Sequence, residues 1–234
     1  MIILDRDRLI VLSIARFGQL ASEHIAAMHF ADVKSPTPQW RTMHRLIDHN
    51  YVKLVERRPV GGNGSGSGQY VYQLGSAGHA LSGRPGKYWP YRSVNLHTLA
   101  IADVHVELVR AEQAGRITID RYDTEPHTHR VVAGAELRPD YYVDAGDHVK
   151  RRNVELWIEA DRGTERQDAI KDKLKRYAHA YEQGSMTFFP RVVFIAPDEQ
   201  RARELRTIIE RGRDEVKDLF YACTLPEFTG LFFG

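Results

Sequence analysis

The feature that most constrains the fold is a pair of predicted strands that both carry acidic residues. The segment 137–143 brings Asp140 to the start of one strand, and the segment 154–161 brings Glu159 and Asp161 to the end of the next. Because side chains alternate across a strand, Glu159 and Asp161 are expected to share a face. Acids that meet from neighbouring strands suit a hard divalent cation, which prefers carboxylate and water oxygens. The pattern therefore predicts a site for Mg²⁺ or Mn²⁺, and with it a metal-dependent DNA-processing centre.

The composition is typical of a soluble cytoplasmic protein. Hydrophobic residues make up 42% of the 234 residues and charged residues 27%, and no apolar run is long enough to cross a membrane. The single cysteine, Cys223, excludes an internal disulfide framework and indicates a reducing compartment. Residues 1–90 hold 11 Lys and Arg against 6 Asp and Glu, whereas the remainder holds 22 against 25. This split favours a nucleic-acid-binding module joined to a domain whose acids hold metal.

The first part of the chain predicts three helices and then a hairpin, which is the order of a winged helix-turn-helix domain. The expected elements are helices at 4–16, 22–30 and 37–49 and strands at 51–58 and 69–74. Ser22 and Thr37 are the expected N-caps of the second and third helices, since hydroxyl side chains accept hydrogen bonds from free N–H groups there. A turn is expected at 17–20.

The third helix is expected to enter the major groove of double-stranded DNA. Its apolar face is predicted to consist of Trp40, Met43, Leu46 and Ile47. The residues expected to contact bases or phosphates from the opposite face are Gln39, Arg41, Thr42 and Arg45. Arg57, Arg58 and the glycine-rich tip at 59–68 are expected to form a wing along the DNA backbone. Modules of this kind also serve protein contacts or dimerisation, and that alternative stays open.

Turn-forming residues at 76–93 indicate a linker, so the domains are predicted as 1–83 and 94–234 with a connection at 84–93. The elements expected after it are a helix at 94–114, strands at 117–120, 139–143 and 153–160, a turn at 145–147, a helix at 167–183, a strand at 188–196, a helix at 199–217 and a strand at 219–224. The expected fold class is α+β, with an α/β/α sandwich around a mixed sheet in the second domain.

The helix at 167–183 adds two candidate site residues. Lys173 and Tyr177 are four positions apart and therefore share a helical face. Lys173 is expected to orient the attacking water or neutralise the scissile phosphate, and Tyr177 to contact DNA. Arg162, in the turn before this helix, is expected to bind a phosphate together with nearby backbone N–H groups.

Three ordered segments carry a resemblance to a known family. Pro139-Asp140, residues 159–164 and residues 173–177 together resemble the replication-relaxation family of plasmids and other mobile elements. The resemblance implies a winged helix, a helix that contains His97, and a core similar to the restriction-endonuclease-like PD-(D/E)xK nuclease superfamily. It also implies that His97 reaches over the metal-binding acids, as a histidine does in some related nucleases.

The chain departs from the superfamily pattern at one position. Asp161 stands where the motif has lysine, and a lysine from the following helix, Lys173 or Lys171, is a rearrangement that resembles other members of the superfamily. The spacing of Lys173 and Tyr177 is similar to the Gln-x-x-x-Tyr element of recombination-type exonucleases. By this resemblance Asp140, Glu159 and Asp161 hold the metal, and Lys173, Tyr177 and His97 complete a catalytic site.

Two functions from different classes follow. The first is a DNA-binding protein that nicks or trims DNA with Mg²⁺ during the replication, relaxation or transfer of a mobile element. The alternative is a non-catalytic transcriptional regulator or replication accessory factor with a degenerate nuclease fold. Homodimerisation and contacts with replication or conjugation proteins are further partners left open.

Two other chemistries have weaker support in the sequence. Tyr141 and Tyr142 are candidate nucleophiles of a relaxase-type covalent mechanism, although no histidine triad accompanies them. His127 and His129 alternate along an extended segment and are candidate zinc ligands, although no cysteine stands at ligand spacing.

Overall fold

The structure is a computed structural model that describes residues 3–58, 69–184 and 186–234. It divides into two compact units, Met1–Val106 and Glu107–Gly234. The boundary between them falls inside one long helix, Leu96–Gln113. The domain limits 1–83 and 94–234 stay a prediction.

The first unit combines helices with a small antiparallel sheet. Its elements are α1 (Asp5–Phe17), β1 (Gln19–Ala21), α2 (Ser22–His29), α3 (Thr37–Asp48), β2 (Val52–Arg58), β3 (Gln69–Leu74), α4 (Ser76–Leu81) and the first part of α5 (Leu96–Gln113). β3 lies between β1 and β2 and runs antiparallel to both. The core is formed by apolar side chains without solvent exposure from α1, β1, α2 and α3, among them Ile10, Ile14, Leu20, Ile25 and Leu46.

Helix starts in this unit differ from the predicted caps. Ser22 is the first residue of α2, and Ala21 is the N-cap, whose N–H donates to Nδ1 of His24 at 3.1 Å. Pro36 is the N-cap of α3, so Thr37 is already helical. Both predicted caps are therefore wrong by one residue, which is the usual uncertainty of a helix boundary.

Two connections also differ from expectation. The expected turn at 17–20 is shorter, because Gly18 ends α1 in a left-handed conformation with φ 88° and leaves Gln19–Ala21 free to pair with β3. The predicted linker at 76–93 begins with a helix, α4. The predicted glycine-rich tip at 59–68 lies outside the described residues.

The second unit contains a mixed five-stranded sheet. Its elements after α5 are β4 (Ile117–Thr124), β5 (Arg130–Val132), β6 (Ala135–Leu137), β7 (Tyr141–Asp147), β8 (Arg152–Ala160), α6 (Gln167–Gln183), β9 (Arg191–Ala196), α7 (Glu199–Glu210), a 3₁₀ turn (Lys217–Leu219), β10 (Phe220–Thr224) and α8 (Leu225–Phe232). The strand order is β10-β9-β8-β7-β4. β8 pairs with β9 and β9 with β10 in parallel, whereas β4 pairs with β7 and β7 with β8 in antiparallel orientation. The predicted α+β class with a mixed sheet is confirmed.

Helices α6 and α7 connect the parallel strands and pack on one face of them. A parallel pair requires such a crossover, because a short turn cannot return the chain to the same end of the sheet. The core cluster beneath the two helices includes Trp157 of β8, Ile170 and Tyr177 of α6, Phe194 of β9 and Leu205 of α7. This packing holds one face of α6 against the end of β8.

Several predicted boundaries in the second unit are wrong. The chain reverses at 148–151 and not at 145–147, because Gly146 continues β7 and Arg151 adopts the left-handed conformation with φ 51°. α7 ends at Glu210 and not at Lys217. Just after the helix, the N–H of Gly212 donates a hydrogen bond to the carbonyl of Ile209. The hairpin β5–β6 is not predicted, since three-residue strands carry almost no periodicity. The eight-residue helix α8 is not predicted either.

Within the described ranges, no helix has the combination of length and apolarity that a membrane span requires.

Candidate functional site

The carboxylate of Asp140 is fixed at the end of the neighbouring strand. Asp140 directly precedes β7, and its N–H donates to the carbonyl of Ile158 at 3.0 Å. Its Oδ2 accepts from the N–H of Ala160 at 2.7 Å. The preceding carbonyl, of Pro139, accepts a hydrogen bond from the hydroxyl of Thr128. β7 and β8 together therefore position this acid, as the sequence predicts.

Glu159 is enclosed and bound by two side chains of α6. Its side chain accepts at Oε1 from the hydroxyl of Tyr177 at 2.6 Å and at Oε2 from Nζ of Lys173 at 2.8 Å. Glu159 is 2% exposed, and Trp157 on the same face of β8 packs on the ring of Tyr177 at 5.8 Å. The predicted convergence of Glu159, Lys173 and Tyr177 is thus present.

The environment of Glu159 disfavours its ionised form. Burial raises the pKa of Glu159 to about 7, and the nearby charge of Asp140 adds to the rise, whereas Lys173 and Tyr177 oppose it. Burial acts against the charge of Lys173, but the carboxylate of Glu159 outweighs it and raises the pKa of Lys173 above its ordinary value. Lys173 also pairs with Glu165 at 3.2 Å. The cluster of Asp140, Glu159, Lys173 and Tyr177 is hereafter called the acid–lysine cluster.

Asp161 is occupied by a different set of partners. Its Oδ2 accepts from Nε of Arg201 at 2.6 Å, and its Oδ1 accepts from the N–H of Gly163 at 2.7 Å. Arg201, in α7, also donates to the carbonyl of Glu165 at 2.8 Å. Asp161 therefore anchors α7 and the loop before α6, and these contacts do not favour its expected role as a metal ligand, which stays a prediction. The sequence gives no signal for Arg201, because it lies in a helix whose charges are typical of a solvated face.

The loop after β8 also differs from its expected chemistry. Arg162 is exposed. The N–H of Gly163, at φ 73°, is committed to Asp161 and does not point at an incoming phosphate. The predicted role of Arg162 in phosphate binding stays a prediction.

An acid that sequence reasoning missed lies beside Asp140. A carboxylate oxygen of Glu125 lies within 4.8 Å of a carboxylate oxygen of Asp140. Glu125 also binds Nε2 of His129 at 2.8 Å. Among the described residues, neither His127 nor His129 belongs to a group of three or more His, Cys, Asp or Glu side chains close enough to share a metal ion, so the geometry does not favour zinc there.

The tyrosines considered as nucleophiles are not exposed for that role. Tyr141 has no solvent exposure, and its ring stacks on Tyr122 at 6.0 Å. The hydroxyl of Tyr142 donates to Oε2 of Glu155 at 2.7 Å. Burial, with this hydrogen bond, raises the pKa of Tyr142 above its ordinary value, which opposes formation of a phenolate nucleophile. The structure therefore does not favour the relaxase-type alternative.

His97 lies in the first turn of α5. Its N–H donates to Oδ1 of Asn95 at 3.1 Å, which caps the start of the helix. Its catalytic role stays a prediction.

Most residues expected on the DNA-reading face of α3 have partners within the first unit. Arg45 binds the carboxylate of Asp7 through two nitrogens, with the shortest contact at 2.8 Å, and Asp7 is 1% exposed. Gln39 donates to the carbonyl of Ser22 at 2.7 Å. Thr42 is buried, so its expected place on the outer face is wrong. Arg41 is exposed as expected.

The apolar face predicted for α3 is wrong at one residue. Met43 and Leu46 are buried, but Trp40 is 59% exposed and its ring lies tilted against that of His44, with 3.9 Å between the ring centroids. The outer face of α3 therefore carries Trp40, Arg41 and His44. For Arg57 and Arg58, the structure describes the backbone in β2 but not the side chains.

Comparison with known families finds a match to this chain. A family described as replication-relaxation matches residues 12–192, more than half of the chain. Comparisons with curated proteins and with solved structures gave no significant match. The matched range includes α3 and every member of the acid–lysine cluster.

Proposed function

The chain belongs to the replication-relaxation family, and from that premise we propose that it binds double-stranded DNA of a plasmid or other mobile element and nicks or cuts it with Mg²⁺ or Mn²⁺. The observation that carries this proposal is the acid–lysine cluster. Two acids, a lysine and a tyrosine from three consecutive elements meet at one end of a mixed sheet. The family description, replication-relaxation, fits a protein that acts on DNA during replication or relaxation.

The proposal assigns a known architecture to each unit. In the first, the order α1-β1-α2-α3-β2-β3 with a three-stranded antiparallel sheet supports a winged helix-turn-helix domain. In the second, a mixed sheet with acids at the ends of β7 and β8 and crossover helices α6 and α7 supports a PD-(D/E)xK-like nuclease domain. The resemblance of the motifs points the same way.

The donor set fits a divalent cation. Asp140 and Glu159 repel each other enough to contribute to the raised pKa of Glu159, and a cation between them would remove that repulsion. Each oxygen of Glu159 accepts one hydrogen bond in the structure, so each retains a further acceptor position. Mg²⁺ held there would act as a Lewis acid toward a phosphodiester and ready a water for attack.

The remaining members of the cluster have distinct roles in this proposal. Lys173 places a positive charge beside the acids, where it can neutralise a phosphoryl oxygen or orient the attacking water. Tyr177, packed on Trp157, fixes the orientation of the Glu159 carboxylate. In this proposal Lys173 supplies the positive charge that the superfamily motif has at the position of Asp161.

The proposed DNA-reading face of α3 is narrower than the sequence indicated. Arg41 supplies a positive charge and hydrogen-bond donors, and Trp40 and His44 add an exposed aromatic surface. Arg45 and Gln39 instead support the position of α3 through Asp7 and Ser22. Arg57, Arg58 and Arg162 remain proposed contacts to the DNA backbone, and homodimerisation remains a proposal.

Cleavage of supercoiled plasmid in Mg²⁺ or Mn²⁺ tests the enzyme. Asp140→Asn, Glu159→Gln and Lys173→Met are expected to abolish nicking while DNA binding persists. Glu155→Gln is the matched control, because Glu155 lies on the same face of β8 but binds Tyr142. The enzyme proposal fails if the wild type cuts no form of DNA, or if the three site variants cut as well as the control.

A non-catalytic DNA-binding regulator or replication accessory factor is the competing proposal. The observation that favours it is that both oxygens of Glu159 are bound by protein donors and the side chain is almost fully enclosed. It predicts tight, salt-dependent DNA binding that is unchanged by Glu159→Gln and no cleavage by the wild type.

A further inference from the structure

The segment between α4 and α5 is fixed to the sheet of the first unit by two buried glutamines. Gln19 of β1 and Gln73 of β3 are partners in the antiparallel register, and both side chains are almost fully enclosed. Gln73 donates from Nε2 to the carbonyl of Tyr91 at 2.9 Å and accepts at Oε1 from the N–H of the same residue at 2.6 Å. Gln19 donates to the carbonyl of Ser93 at 2.9 Å and accepts from the N–H of Asn95 at 2.7 Å. The end of the predicted linker is therefore held in place by the sheet.

Residues 84–92 of this segment, hereafter called the strap, present Trp89 to solvent. Trp89 is 72% exposed, and its ring has no aromatic, cationic or hydrogen-bonding partner among the described residues. The residue before it is anchored, because the hydroxyl of Tyr88 donates to the carbonyl of Leu74 at 3.2 Å. Pro90 restricts the backbone of Trp89 further, since a residue before proline is confined to extended conformations. Trp89 is therefore an exposed ring on a fixed backbone, and a ligand that contacts it has little backbone freedom to remove.

The charges of the strap are all positive. The strap contains Arg84, Lys87 and Arg92 and no acid. All three cations are exposed and, within the described ranges, none of them forms an ion pair. Acids are also missing from the neighbouring sequence, since residues 57–102 contain no Asp or Glu. An exposed aromatic ring among exposed cations is the combination by which proteins bind single-stranded nucleic acid, because bases stack on the ring while phosphates pair with the cations.

We propose that the strap binds an unpaired strand of DNA, with a base stacked on Trp89 and phosphates beside Lys87 and Arg92. These two cations stand two and three positions from Trp89, so their Cα atoms lie within about 11 Å of its Cα. The ring favours an unpaired strand over a duplex, because the base faces of a duplex are covered by their neighbours and extruding a base costs free energy. A protein partner would cover the ring, but cations without acids favour a polyanion.

The surface is additional to the one proposed for duplex DNA. It involves neither α3 nor the acid–lysine cluster, and it requires no cleavage. Stacking and phosphate contacts are common to DNA and RNA, so the choice of DNA rests on the proposed function.

Fluorescence anisotropy with a labelled oligothymidine of roughly 15 nucleotides tests the ring. EDTA is present, so that metal binding and cleavage do not contribute. Trp89→Ala is expected to weaken binding about tenfold, whereas Trp89→Phe keeps a stacking ring and is expected to retain most of the affinity. Phe188→Ala is the matched control, because it removes an aromatic residue of the second unit that is 54% exposed. It is expected to leave binding unchanged.

A salt titration tests the cations. Lys87→Gln with Arg92→Gln is expected to reduce the salt slope of oligothymidine binding by about 1.4, which is roughly 0.7 for each phosphate of a single strand. Lys150→Gln with Arg151→Gln removes the same charge from exposed positions between β7 and β8 and is expected to leave the slope unchanged. Circular dichroism confirms that all variants remain folded.

Three results would overturn the proposal. They are unchanged affinity in Trp89→Ala, an equal loss in Phe188→Ala, and binding of an oligouridine of the same length about tenfold more tightly than oligothymidine, which would assign the strap to RNA. A wild type that binds the strand through Trp89 but cuts no DNA would support this proposal and remove the proposed nuclease.

Discussion

Nζ of Lys173 lies 2.8 Å from Oε2 of Glu159, and the pair is removed from solvent at the end of β8, with the acid side chain 3% and the lysine side chain 20% exposed. An ion pair in such a position stabilises the fold mainly by avoiding an unpaired buried charge. The ion pair also holds Lys173 next to the acids, where the proposed chemistry needs a positive charge.

Removing one member of this pair is expected to cost more than removing both. Lys173→Met leaves Glu159 without its cation and is expected to lower the free energy of unfolding by about 3 kcal/mol. Adding Glu159→Gln to Lys173→Met removes the unpaired charge and is expected to restore a large part of that loss. Urea denaturation of the two single variants and the double variant gives the coupling. Additive effects would contradict an ion pair at this site.

The raised pKa of Glu159 predicts a dependence on pH. The folded-state pKa is about 7 against 4.5 for the free side chain, so the native state binds more protons between these values. The stability contributed by protonated Glu159 is therefore present below about pH 4.5 and is lost as pH rises to about 7. Carboxyl ¹³C NMR should show a midpoint near 7 that moves down in Asp140→Asn. A wild-type midpoint near 4.5 would argue against this environment.

Metal binding should follow the same titration. Mg²⁺ requires ionised Glu159, so its affinity is expected to rise as pH increases through about 7 and to be accompanied by proton release. Calorimetry in two buffers of different ionisation enthalpy measures the protons released. Mg²⁺ affinity that does not change between pH 6 and about pH 8 would place the ion elsewhere.

Asp161 and Arg201 are expected to affect stability and not metal binding. Asp161→Asn leaves the Arg201 side chain, which is 11% exposed, without its buried carboxylate partner, and should lower the free energy of unfolding by about 2 kcal/mol. Glu204→Gln removes the more exposed partner of Arg201 and should change the free energy of unfolding by less than about 0.5 kcal/mol. Mg²⁺ affinity of both variants, measured below their unfolding transitions, should match the wild type. A large loss of affinity in Asp161→Asn would restore it as a ligand.

Two arginines of α3 are expected to separate stability from DNA binding. Arg45→Ala leaves the buried carboxylate of Asp7 without its ion-pair partner and should lower the free energy of unfolding by about 3 kcal/mol. Arg41→Ala should change stability by less than about 0.5 kcal/mol but weaken DNA binding and reduce the salt slope by about 1. Thermal unfolding and a salt titration of DNA affinity measure both. Weaker DNA binding without loss of stability in Arg45→Ala would mean that Arg45 leaves Asp7 to contact DNA.

The parts of the fold that sequence reasoning predicted well have strong local periodicity. The bounds of α6, Gln167–Gln183, agree with the amphipathic pattern. The approach of Lys173 and Tyr177 to Glu159 follows from a spacing of four residues on a helix and from alternation along a strand. Local rules suffice there because each element presents its residues to a neighbour that is close in the chain.

The missed features depend on partners distant in sequence. Arg201 meets Asp161 from 40 residues away, and Arg45 meets Asp7 from 38 residues away. Periodicity cannot identify such pairs, because an arginine on a polar helix face has the same local pattern whether it is solvated or paired. Trp40 shows the converse, since an apolar residue at helical spacing is exposed in the structure.

The anchoring of α7 by Asp161 also restricts how this chain can evolve. In the proposed nuclease motif lysine is expected at the position of Asp161, and a lysine placed there would face the guanidinium of Arg201. A single exchange would bring two like charges together in a poorly solvated place and release the helix. A lysine at position 161 is therefore expected to be tolerated only where position 201 is no longer a cation.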